Sequence, residues 1–199
     1  MNKKNKSMNV RTITLTGLFG ALSAVLMMIS FNVPLMPSFI KMDFSELPAL
    51  IAAFAMGPLS GAMVCLVKNL INVMFSTTGG VGEFSNFILG CAFVIPAGLI
   101  YKRNKSKRSA LIGSLVGAVF MAVFSVFSNY FIVYPVYSMF MPIEAIIGMY
   151  HEIYPGINNL LQALIIFNMP FTFIKGLCII IITFAIYKHI SPIIKGTNR

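Results

Sequence analysis

Residues 109–133 read SALIGSLVGAVFMAVFSVFSNYFIV, twenty-five residues without one charged side chain. About 20 mostly apolar residues carry a helix across a bilayer's hydrocarbon core, so this run is long enough to span. Working outward from it, apolar periodicity and turn signals place helices at about 10–30, 46–56, 59–75, 83–101, 109–133 and 158–187. The second is short and stops at Gly57-Pro58. Pro34 and Pro37 mark the first loop, the glycines of 76–80 mark a turn, and 134–155 reads as a longer connection with three prolines. The expected fold is an all-α integral membrane protein of six transmembrane helices, one domain over residues 1–199.

Composition agrees. Of 199 residues 58% are apolar and 10% charged, and mean hydropathy is +0.87. An ordinary soluble domain carries about 25% charged residues. Soluble globular domains, disordered chains and secreted disulfide scaffolds are excluded. Cys65, Cys91 and Cys178 are scattered through apolar runs, with neither a disulfide framework nor metal spacing. The net charge of +10 sits between the apolar runs and reads as a topology signal, with no nucleic-acid partner. With the N-terminus inside, twelve of the fifteen Lys and Arg fall on inner segments. Both termini are then cytoplasmic. The basic start followed by an apolar run reads as a retained first helix. Lys41 is the one basic residue of the outer loops, and Asp43, Glu46, Glu83 and Glu152 are expected at or near the outer face.

Polar groups inside lipid are costly, so each needs an account. Asn72, Asn86, Asn129 and Asn168 come from four helices and are expected at one level in the outer half. Asn168, Thr172 and Lys175 follow i, i+4, i+7 and form one stripe. Lys68 and Lys175, ionisable groups inside the membrane, read as functional by default; a structural pair with Glu46 or Glu83 is the alternative for Lys68, whereas Lys175 has no evident mate. One reading is interhelical glue; the favoured one is a binding cavity open to the outside, its amides suited to a polyhydroxylated or heterocyclic ligand. Phe84, Phe87, Phe127, Tyr130 and Phe171 neighbour these positions. Gly17/Ala21 and Gly20/Ala24 form a small-residue strip on the first helix, which allows another helix to approach closely. No P-loop occurs, and neither His151 nor His189 stands beside a nucleophile. Hence no catalytic residue, no metal site and no enzyme activity is expected.

One succession is more specific. Residues 43–50 read DFSELPAL and lead to FAMGPLSG at 54–61, VKNL at 67–70 and TTGGVGEFSNF at 77–87, with NMPF at 168–171 and IKG at 174–176. These stretches resemble the substrate-binding S components of energy-coupling factor (ECF) vitamin transporters, and among them the riboflavin-specific members. The resemblance implies six helices around a cavity built from the first outer loop and the last three helices. It implies high-affinity binding of riboflavin as transported ligand, its monophosphate left open, and no cofactor. It implies a multi-pass protein of a prokaryotic cell membrane. Its partners would be a membrane T component, which docks on the strip of Gly17, Gly20, Ala21 and Ala24, and two cytoplasmic ATPases that drive import. The ring needs apolar walls and a few donors, for which Asn86, Asn168 and Lys175 stand as candidates. Asp43, Thr78 and Asn129 are candidates for the ribityl hydroxyls, Gly79 for close backbone approach, and Thr172 for the same wall. Glu46, Lys68, Asn72 and Glu83 are structural or binding. An S component for another vitamin and a small membrane enzyme acting on lipids stay open as alternatives.

Overall fold

The structure, a computed structural model, describes residues 10–34, 36–37, 40–76 and 79–195, with side chains to Ile186. Among these residues four helical stretches are long and apolar enough to cross a membrane: α1 (Val10–Met28), α4 (Val81–Arg103), the continuous Lys107–Tyr137 and Leu160–Ile186. Two of the six expected spans are shorter, α2 (Glu46–Met56) and α3 (Pro58–Val73). At 1.5 Å per residue α2 rises only about 16 Å, half of a hydrocarbon core. It is buried on all sides from Glu46 to Phe54, as a helix apolar all round must be. Gly57, at φ 109°, turns the chain directly into α3.

The Lys107–Tyr137 stretch comprises α5 (Lys107–Ser128), a π-helical turn at Asn129–Val133 and α6 (Tyr134–Tyr137). A second π-helical turn, Leu164–Asn168, joins α8 (Leu160–Ala163) to α9 (Met169–Lys195). The Tyr134 N–H bonds Asn129 O and the Met169 N–H bonds Leu164 O, each five residues back. The segment 134–155, expected as a connection, is largely helical: α6 continues the span and α7 (Ile143–Ile153) follows it. Its prolines read as breakers, but Pro142 caps α7, where a missing N–H is harmless, and Pro135 stands directly after the π-helical turn, inside a stretch that runs on to Tyr137.

Contacts fix the helix directions. Gly20 and Ala24 of α1 meet Val67 and Asn72 of α3, so these helices run parallel. Gly90 and Gly98 of α4 meet Cys65 and Pro58 in turn, and Gly113 and Gly117 of α5 meet Ala97 and Phe93, so α4 and α5 each run antiparallel to the preceding helix. A Cβ at Gly117 would overlap the Phe93 carbonyl oxygen, so only glycine permits that closeness. One end of the bundle therefore holds the start of α1 and the basic α4–α5 connection. The opposite end holds the α1–α2 loop, in which β1 (Phe31–Asn32) pairs antiparallel with β2 (Lys41–Met42), Phe31 opposite Met42.

Two apolar clusters result. One surrounds α2 with Leu50, Ile51, Cys65, Phe93 and Ile179. The other, at the loop end, joins Ile40 to Tyr134, Ile146, Tyr150, Ile157 and Leu164. Because α2 reaches only partway along the bundle, a hollow remains beyond its N-terminus, where the two clusters meet.

Candidate functional site

That hollow is a cavity of about 170 Å³. Leu89 and Met121 line it from the side of the first cluster, and Ile40, Val133, Tyr134, Tyr137 and Phe171 from the second. Its polar lining is Lys41, Asp43, Glu46, Asn86, Asn129, Asn168, Thr172 and Lys175.

The floor is a closed ring of charges. Lys175 Nζ lies 2.9 Å from Asp43 Oδ2 and 3.0 Å from Glu46 Oε2. Glu46 Oε1 accepts from Lys68 Nζ at 2.7 Å, and Lys68 Nζ also donates to Ser45 Oγ at 2.6 Å. Ser45 Oγ–H donates to Asp43 Oδ1 at 2.5 Å, which closes the ring. All five side chains are buried. Two cations and two anions sum to zero, the condition for keeping ions out of water at tolerable cost. Local geometry sets it up: the Ser45 N–H bonds Asp43 Oδ1 at 2.9 Å, an Asx turn that aims the aspartate and opens α2. Ser23 of α1 donates to Ser45 O at 2.5 Å and anchors the same turn.

This ring corrects one expectation. Lys175 does have mates, Asp43 and Glu46. Both acids are buried beside the two lysines, which would otherwise be uncompensated. Of the two acids considered for Lys68, Glu46 is the partner.

Above the floor, three amides present different faces. Asn86 Oδ1 is buried and bonds no donor among the described residues. Asn129 Nδ2 donates to Ser125 O at 2.8 Å, which leaves its oxygen as acceptor. Asn168 Oδ1 accepts the Tyr150 hydroxyl at 2.8 Å, and Tyr150 Oη lies 2.6 Å from Tyr134 Oη. Burial pushes the Tyr150 phenol well above its ordinary pKa, so it remains a proton donor. Asn129 opens one π-helical turn and Asn168 closes the other. Such turns widen a helix locally and are frequent at functional sites.

The other anticipated residues lie elsewhere. Asn72 bonds Ala24 O at 3.3 Å and Lys68 O at 2.9 Å, so it ties α3 to α1 and does not join the other amides. Glu83 accepts from Ser76 Oγ at 2.7 Å beside the α3–α4 turn. Gly79 is in that turn at φ 64°, outside the cavity lining; Thr78 lies outside the described residues. Of the five aromatics, Phe171 lines the cavity, whereas Phe84 and Phe87 line a separate groove and Phe127 and Tyr130 face outward. The α1 strip divides: Gly20 and Ala24 pack on α3, while Gly17 and Ala21 are exposed. Sequence reasoning missed Ser45, Tyr134, Tyr137 and Tyr150. Helical spacing of Tyr134 and Tyr137 across Pro135 was the available signal.

Comparison with known proteins places this architecture. The family model for the substrate-specific component of ECF transporters matches residues 11–187. The riboflavin transporter RibU of Staphylococcus aureus (strain TCH60) is 34% identical over 193 residues, 97% of this chain and 96% of the relative. The riboflavin transporter FmnP of Bacillus subtilis (strain 168) is 28% identical over 188 residues, 93% of this chain and 94% of the relative. A solved S component of a bacterial ECF transporter superposes with a TM-score of 0.73 at 32% identity, covering 94% of this chain and 98% of that one. Short buried α2, the hollow beyond it and this matched length lead to one conclusion: the chain belongs to the ECF transporter family, as a substrate-specific component.

Proposed function

We propose that the chain is the high-affinity riboflavin-binding subunit of an ECF-type importer in a prokaryotic cell membrane. The observation that carries this reading is the cavity itself, apolar and aromatic walls with a few aimed amides over a neutral floor. The isoalloxazine ring is flat and apolar with one uracil-like edge of alternating acceptors and donor. Asn86 Oδ1, an unpartnered acceptor, and the donors of Asn168 and Lys175 suit that edge. Asn129, Asp43 and Thr172 suit the ribityl hydroxyls. The relatives' names point to the same ligand. Lys41 lines the cavity outside the neutral ring, which favours the monophosphate as a second ligand.

In this reading six helices cross the membrane, α2 and α3 among them, with both termini cytoplasmic. The α4–α5 connection, with Lys102, Arg103, Lys105, Lys107 and Arg108, supports that orientation. The cavity then opens outward under the α1–α2 loop. The chain carries no ATPase motif, so a T component and two cytoplasmic ATPases drive transport. The exposed pair Gly17 and Ala21 is the docking strip on α1. A side chain at Gly17 would meet nothing within 4 Å. Gly17→Leu is therefore expected to keep ligand binding while abolishing co-purification of the T component; retained co-purification would move the docking face elsewhere.

The deciding experiment is titration of ligand-free protein in detergent with riboflavin, following quenching of flavin fluorescence. One-to-one saturation in the nanomolar range is expected, and Asn129→Ala and Asn168→Ala should each weaken it by about tenfold or more, the cost of a lost buried polar partner. A folded protein that ignores riboflavin would overturn the ligand; unchanged affinity in both variants would overturn the cavity assignment.

A further inference from the structure

A second hollow lies on the outer surface of the bundle, between α3 and α4 near the loop end. It measures about 130 Å³ and is lined by Leu66, Leu70, Val73, Phe84, Asn69 and Glu83, among others. Leu70 and Phe84 are 61% and 54% exposed, so the groove opens toward lipid and shares no lining residue with the main cavity. Its polar groups are two. Asn69 is 4% exposed; its Nδ2 donates to Cys65 O at 2.8 Å, while its Oδ1 has no hydrogen-bond partner among the described residues. Glu83 takes one hydrogen bond from Ser76 and forms no ion pair among the described residues.

We infer that this groove is a lipid site selective for a phospholipid with a primary ammonium headgroup. An apolar trough open to the bilayer takes an acyl chain, since water would need two to four polar partners there. The two polar groups of its lining, one of them the buried Asn69 Oδ1, decide the headgroup, because both are acceptors and one is an anion. An –NH3+ group supplies the positive charge that Glu83 lacks and an N–H for Asn69 Oδ1. A choline headgroup has the charge but no N–H. A glycerol headgroup has hydroxyl donors but brings a net negative lipid to a carboxylate.

Native mass spectrometry of the detergent-purified chain tests this with dioleoyl phosphatidylethanolamine, phosphatidylcholine and phosphatidylglycerol, each titrated separately. Phosphatidylethanolamine should half-saturate one site at about a tenth of the concentration the other two require. Glu83→Gln, which keeps the shape of the side chain and an acceptor oxygen, should bring ethanolamine and glycerol lipids together, and Asn69→Leu should independently bring ethanolamine and choline lipids closer. Equal retention of all three lipids would mark an ordinary lipid-facing surface and overturn the assignment. So would a preference that survives both substitutions.

Discussion

Replacing Lys68 by methionine is expected to cost about 3–5 kcal/mol of stability, the usual penalty for stranding a buried charge. Lys68 is fully buried and holds Glu46 Oε1 at 2.7 Å and Ser45 Oγ at 2.6 Å. Without it, Asp43 and Glu46 share only Lys175, and the interior carries a net negative charge. Removing Glu46 as well, in the double variant Glu46→Met with Lys68→Met, leaves the neutral Asp43–Lys175 pair. It should recover most of the loss. Thermal unfolding in one detergent, followed by loss of the monodisperse peak, measures both variants. A single variant no less stable than the double would show that loss of Lys68 strands no charge on Glu46. The turn at 43–45 should loosen with Lys68→Met, since Ser45 Oγ loses a donor that fixes it, and riboflavin affinity should fall with it.

Deleting Phe131 is expected to reduce riboflavin affinity about tenfold, equivalent to about 1.4 kcal/mol. Phe131 is 68% exposed within the π-helical turn, so its removal vacates no core space. What it changes is the wide turn. The turn takes up one extra residue, and with one residue fewer the segment closes as an ordinary α-helix that continues α5 into α6. The wide turn carries Asn129 and Val133 on the cavity lining and holds the Tyr134 N–H on Asn129 O. Closing it draws these residues in and disturbs the 2.6 Å contact from Tyr134 to Tyr150. Tyr150 in turn is what orients Asn168. The control is Phe131→Ala, which keeps the π-helical turn and should bind normally. If the deletion binds as tightly as the control, the turn is not what aims the cavity residues.

These two cases mark where sequence reading reaches and where it stops. Membrane class was legible because hydropathy acts run by run, and an uncharged stretch such as 109–133 has few other places to be. The stripe Asn168, Thr172, Lys175 was legible because a helix places i, i+4 and i+7 on one side, and all three line the cavity. The π-helical turns were not legible. They add one residue to a helix without any composition signal, and they are held by packing at Tyr134, Leu164 and Asn168. Nor was the outcome for the α1 strip, since Gly17 and Gly20 carry the same local information while only Gly20 faces Val67.

The chain's sequence by itself determined that it is a helical membrane protein, where its apolar runs lie, and which polar residues must be paid for inside it. Tertiary structure alone decided their partners. Lys175 reaches Asp43 across 132 positions of chain, and Lys68 takes Glu46 while Glu83 turns to Ser76. The reason is physical. Apolar burial and helical period are properties of neighbouring residues, whereas neutralising a buried charge depends on which distant groups the packed helices bring within about 3 Å of one another.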